Sequence, residues 1–144
     1  MATSFKDTAD RSWDLSLTFT TAKRVKSLTG VDLLNITPEL FSGFATDPAK
    51  YVDVIYAIVK PQADAAGVGD EEFGSALDGD CIYNAIQAYR EAVVNFTPSP
   101  AQRRVLQYGL EQLMALEDQA EATMKKLVDM RLKQTKAELE EMTE

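Results

Sequence analysis

A mainly α fold, a compact helical domain with a short N-terminal β-hairpin and a long C-terminal helix, follows from three features of the sequence. Apolar residues recur at helical spacing through most of the chain. They alternate with polar ones only near the N-terminus, and from Ala101 to Glu144 there is no proline and no glycine except Gly109. With 144 residues, 45% apolar and 26% charged, the chain has the size and composition of one globular domain with an appended arm. The break at Thr97-Pro98-Ser99-Pro100 sets the expected boundary, with a core domain over 1–98 and a helix or arm over 99–144.

From Trp13 to Phe19, Trp13, Leu15, Leu17 and Phe19 alternate with Asp14, Ser16 and Thr18, the period of a half-buried strand. The turn-forming residues Asp7 to Arg11 allow Ser4 to Lys6 to pair back as the other arm of a hairpin. A hairpin alone is marginal in water, so this one must lie against helices. The spacing turns helical from Thr21, with Ala22, Val25 and Leu28 on one side, and Gly30 is the stop.

Val31, Leu33, Leu34 and Ile36 form an apolar stretch, after which Thr37 and Pro38 open a short helix with Leu40, Phe41 and Phe44 as its buried side. Asp47-Pro48 gives the same start signal to a central core helix built on Tyr51, Val52, Ile55, Ile58 and Val59. Pro61 should kink or stop it, and Gly67 to Gly69 close the segment. Asp70-Glu71-Glu72 begins a further helix that buries Phe73 and Leu77 and ends at Gly79. Asp80 then caps a helix whose apolar positions are Ile82, Ala85, Ile86, Tyr89 and Val93. Ser99, with Pro100 after it, starts the long terminal helix.

A formal net charge of −8 repels phosphate backbones and anionic head groups, so neither nucleic acid nor a membrane is expected as partner. The one dense basic cluster, Lys23, Arg24 and Lys26, reads as a solvated helix face. Met1 to Lys6 has no signal-peptide pattern, and the longest apolar run, Val54 to Val59, is far too short to span a bilayer. Cys81 has no second cysteine to pair with, and Asp78 and Asp80 beside it oppose a thiolate. It reads as a partly buried side chain in a reducing compartment, so a cytoplasmic protein is expected.

With no histidine in the chain, the commonest general base and the commonest metal ligand are both missing. One cysteine cannot build a zinc site, and Gly67, Gly69 and Gly74 lack the context of a phosphate loop. Asp64, Asp70, Glu71, Glu72, Asp78 and Asp80 leave paired-carboxylate chemistry open, but their spacing fits no calcium loop and suits helix caps and an acidic rim. No catalytic residue, cofactor or metal is expected. Tyr51, Tyr56, Tyr83, Tyr89 and Phe96 stand at core-like helical spacings.

The terminal helix carries the candidate protein-binding residues, Leu106, Leu110, Leu113, Leu116, Leu127 and Met130, with Val105 alongside. Met114, Met124, Met130 and Met142 add flexible thioethers suited to an adaptable partner surface. Glu117 interrupts the stripe, so a regular heptad repeat is not established, and Lys133 to Glu144 has so little to bury that in isolation it should fray or be disordered.

The central segments are Arg11-Ser12-Trp13-Asp14-Leu15, Ala22-Lys23-Arg24-Val25-Lys26, Thr29-Gly30-Val31-Asp32-Leu33-Leu34 and Val52-Asp53-Val54-Ile55-Tyr56. Together with Asp47-Pro48, Lys60-Pro61-Gln62-Ala63 and Asp70-Glu71-Glu72-Phe73-Gly74, they resemble the tail assembly chaperones of long-tailed bacteriophages and related prophages, from about Arg11 to Phe96. The resemblance implies a helical, non-enzymatic protein that coats the long apolar tape measure protein, before the tail tube polymerises around it, in the cytoplasm of the infected host. It also implies absence from the mature virion and self-association along the client. A longer frameshifted product, frequent in this family, would engage the tail tube protein. The rival expectation is a structural minor tail or connector protein retained in the particle. The terminal helix lies outside the resemblance.

Overall fold

The computed structural model describes residues 3–35, 37, 40 and 47–143. By its internal contacts the chain divides into two units, Met1–Gln107 and Tyr108–Glu144.

In the first unit, β1 (Ser4–Lys6) and β2 (Ser12–Asp14) form an antiparallel hairpin that sets Phe5 opposite Trp13. Both rings are buried while the neighbouring strand residues face out. The second strand is much shorter than the alternation from Trp13 to Phe19 predicts. Thr18 is the N-cap of α1 (Phe19–Thr29) and accepts from the Thr21 amide, so the helix begins two residues before the apolar spacing announces it. Phe19 is therefore an exposed first-turn residue, and Leu28, expected on the inner face, is exposed as well. Ala22 and Val25 alone are the buried residues of α1.

Gly30, at φ 78°, closes α1 in the left-handed conformation that a Cβ disfavours. Leu33 is fully buried beyond it, whereas Leu34 is exposed. The short helix expected after Pro38, with Phe41 and Phe44, lies outside the described residues; Leu40 is described and buried.

α2 (Pro48–Ala66) is the central helix, capped by the Asp47 side chain on the Lys50 amide and ended by Gly67 at φ 70°. Tyr51, Ile55, Ile58 and Val59 are buried along it as the spacing predicts, whereas Val52 is only half-buried, and Val54 and Ala63, which the spacing does not single out, are buried too. It runs through Pro61 without stopping. α3 (Asp70–Ser75) is short, with its three acids in the first turn and Phe73 buried. It ends before Gly79, which is the first residue of α4 (Gly79–Phe96). The cap of α4 is Asp78 and not Asp80: the Asp78 carboxylate accepts from the Cys81 amide at 2.9 Å, leaving Asp80 in the first turn.

Aromatic edges join these elements. Trp13 meets Phe73 edge-on at 5.2 Å, Tyr56 meets the same ring at 5.2 Å, and Tyr51 and Tyr89 pair at 5.6 Å between α2 and α4. Tyr83, by contrast, is exposed. Thr97 ends α4, and α5 (Pro100–Met142) starts as expected, with Ser99 accepting from the Gln102 amide.

The second unit consists of the helical residues of α5 from Tyr108 onward, on the order of 50 Å of helix at 1.5 Å per residue. The helix continues to Met142, past Lys133, where the thinning of apolar residues predicts fraying. Ala, Leu, Glu, Lys and Gln dominate that stretch, so backbone propensity sustains a helix that burial does not.

Candidate functional site

The polar side chains of the first unit are largely committed to holding it together. Asp7 sits at the start of the hairpin loop with its carboxylate buried. It accepts from the backbone amides of Ala9 and Arg11, from Arg11 Nε at 2.8 Å and from Trp13 Nε1 at 3.0 Å. Burial opposes its ionisation, but the hydrogen bonds from Arg11 and Trp13 outweigh that penalty and hold its carboxyl below the usual range. Arg11 reaches on to Glu72 at 3.1 Å, tying the loop to α3.

Gln62 on α2 completes the free edge of β2. Its amide nitrogen donates to the Asp14 carbonyl at 2.8 Å, and its amide oxygen accepts from the Asp14 amide at 3.0 Å. An exposed strand edge is thereby closed by a side chain instead of another strand.

Arg24 departs from the solvated face read for Lys23, Arg24 and Lys26. Lys23 and Lys26 are exposed, but Arg24 is half-buried and donates from Nε to the Ala57 carbonyl and from Nη2 to the Ile58 carbonyl, both at 2.9 Å. Pro61 has no N–H to give to the carbonyl four residues earlier, and that carbonyl belongs to Ala57. The guanidinium supplies the missing donor.

The carboxylates from Asp64 to Asp80 are spread over several local tasks. Asp64 takes Lys60 at 3.1 Å, Glu72 takes Arg11, and Asp78 caps α4. No group of three or more Asp, Glu, Cys or His side chains is placed to hold a metal among the described residues. Cys81 is half-buried, and its hydrogen bond with Asp78, with burial second, pushes its thiol up in pKa, away from a reactive thiolate. No helix among the described residues is long and apolar enough to cross a membrane.

Hollows on the first unit include two lined by described residues. One, of about 420 Å³, follows α2 past Lys50, Asp53, Tyr56 and Lys60 to Asp70, mixing cations and carboxylates around an aromatic ring. The other, of about 550 Å³, is a more apolar cleft between Phe19, Leu33, Leu34, Phe96 and Pro98.

The long helix presents a different surface. Of the six residues that the sequence nominates there, Leu110 is buried and Leu106 and Leu113 are half-buried, while Leu116, Leu127 and Met130 are exposed. Val105, Tyr108 and Leu116 are exposed in the N-terminal half, and in the C-terminal half Met124 (66%), Leu127 (59%) and Met130 (66%) stand largely in solvent. Val128 and Leu132 are exposed beside them. Val128 and Tyr108 are exposed although the sequence does not nominate them. Chemically these side chains, which lie on more than one face of the helix, offer dispersion and burial of apolar area, with flexible thioethers that adapt to an irregular contact.

The fold defines a class in structural terms only: a mainly helical protein with a two-stranded N-terminal hairpin and a long C-terminal helix that exposes many apolar side chains. Comparison with protein-family models, curated proteins and solved structures gives no match to the chain.

Proposed function

We propose that the chain is a non-enzymatic assembly chaperone of a long-tailed phage, which shields the apolar helices of the tape measure protein until the tail tube forms. The observation that carries this reading is the number of exposed apolar side chains in the C-terminal half of α5, Met124, Leu127, Val128, Met130 and Leu132 among them, spread over more than half of its circumference. Each of these side chains gains by leaving solvent, so a partner that covers them is favoured. The segments from Arg11 to Phe96 that resemble tail assembly chaperones supply the identity of the client. Acidic overall charge keeps a sticky binder apart from nucleic acid in the host cytoplasm.

Co-expression with the tape measure protein of the same tail module tests the reading. Co-purification and a rise in client solubility are expected, and both should fall when Leu127 and Met130 are changed to Ser. A client equally soluble with and without the chain would refute it. Mass spectrometry of finished particles should find no stoichiometric copy; finding one would favour a retained minor tail or connector protein.

A further inference from the structure

The exposed face of α5 has an internal symmetry. Glu117, Ala120, Met124, Val128 and Arg131 lie on one face of the helix at intervals of three, four, four and three residues, so the pattern reads the same in both directions from Met124. The occupants are complementary about that centre. Acidic Glu117 and basic Arg131 stand seven residues either side of it, and small Ala120 and branched Val128 four residues either side. Beyond these five positions the flanking charges are biased but not mirrored, with Asp118 and Glu121 before Met124 and Lys125, Lys126, Lys133 and Lys136 after it, interrupted by Asp129.

We infer that this face binds a second copy of the chain, helix against helix and antiparallel, with a two-fold axis at Met124. In that arrangement Glu117 of each copy meets Arg131 of its partner, so the two charges that interrupt the apolar face pair with each other at both ends of the contact. Ala120 receives Val128, a small residue opposite a large one, and the two Met124 side chains meet on the axis. A parallel, in-register pair would set Glu117 on Glu117 and Arg131 on Arg131, and like charges across a contact oppose it. Charge pattern thus selects both the occupant and its direction, which apolar area alone would not. The inference does not depend on the client proposed above.

Full-length chains in a Cys81→Ser background provide the test. One carries Glu117→Cys and the other Arg131→Cys, and each is treated with a short thiol cross-linker alone and after mixing. Cross-linking that appears only on mixing is expected; self-cross-linking of either chain alone would establish a parallel pair and overturn the inference. Sedimentation equilibrium gives the second readout. Glu117→Arg or Arg131→Glu should each weaken the dimer by about tenfold, as two symmetric contacts turn repulsive, and the double exchange should restore it. Circular dichroism verifies that every variant remains helical. A wild-type chain that stays monomeric at its highest soluble concentration would overturn the inference. If that monomer still solubilised the tape measure protein, the proposed function would stand without it.

Discussion

Arg24 gives the most demanding test of how this core is held. The perturbation is Arg24→Met, which keeps most of the aliphatic stem and removes the donors. Two bonds of 2.9 Å to the Ala57 and Ile58 carbonyls are lost, and Ala57 is only 2% exposed, so water does not fully replace the missing donor. A hydrogen bond from a charged group contributes about 1.5–3 kcal/mol; because Arg24 is half-buried, the pair together should contribute about 2.5 kcal/mol. At about 4 °C per kcal/mol for a domain near this size, the melting temperature should fall by about 10 °C.

The same loss should be smaller when position 61 carries an N–H. In a Pro61→Ala background the Ala57 carbonyl regains its helical donor, and Arg24→Met should then cost about 1 kcal/mol, leaving a coupling of about 1.5 kcal/mol between residues 37 positions apart in sequence. Urea titration of the four chains of this double-mutant cycle measures it. If Arg24→Met costs the same in both backgrounds, to within about 0.5 kcal/mol, the guanidinium does not replace the proline's missing donor.

Asp7, with its carboxyl held below the ordinary value of 3.8, contributes stability that is complete above that pH and is lost as pH falls through its lowered folded value. Asp7→Asn should cost about 2 kcal/mol at neutral pH, and the gap from the wild type, followed by urea melts, should close as pH falls below 3.8. Gln62→Ala should speed hydrogen exchange at the Asp14 amide at least tenfold, at a cost of about 1 kcal/mol, because the hairpin edge loses both of its side-chain partners. The Tyr89 hydroxyl is buried with no hydrogen-bond partner among the described residues, and desolvation first, with Tyr51 second, raises its pKa. Tyr89→Phe should therefore raise stability by about 1 kcal/mol in thermal melts; a loss of that size would reveal a partner.

The parts of this fold that were legible in the sequence are those set by neighbours in the chain. Asp47-Pro48 and Ser99-Pro100 start helices where they stand, because a cap needs only the amide two or three residues on. Gly30 and Gly67 stop helices for an equally local reason. Errors arose where two local signals compete. Alternation from Trp13 to Phe19 suggests a strand, but the Thr18 side chain captures the Thr21 amide and turns the chain into α1. Asp78 and Asp80 are both eligible caps, and the contest went to the one whose carboxylate reaches Cys81. Partnerships across 33 or 48 residues, Arg24 with Ala57 and Gln62 with Asp14, leave no local trace in the residue pattern. The candidate surface was legible as a stripe but not in extent, because the sequence does not tell a buried Leu110 from an exposed Leu127.

Those long-range pairs also bear on where function resides. Arg24, Gln62 and Asp7 are residue types that build polar sites, yet each serves an unmet backbone or loop donor or acceptor produced by the fold: the carbonyl below Pro61, the open edge of β2, the amides of the hairpin turn. Engaged in that way they tie the short hairpin and its loop to the helices that form the core. The charges of the C-terminal half of α5 stand instead beside exposed apolar side chains, and Glu117 and Arg131, seven residues either side of Met124, exchange places with opposite sign when the helix is reversed. Replacing a core arginine should thus change melting and leave association intact, whereas reversing Glu117 or Arg131 should change association and leave melting of the hairpin-bearing unit near its wild-type value. A chain in which both classes of substitution moved both properties together would show that the two units do not divide the work in this way.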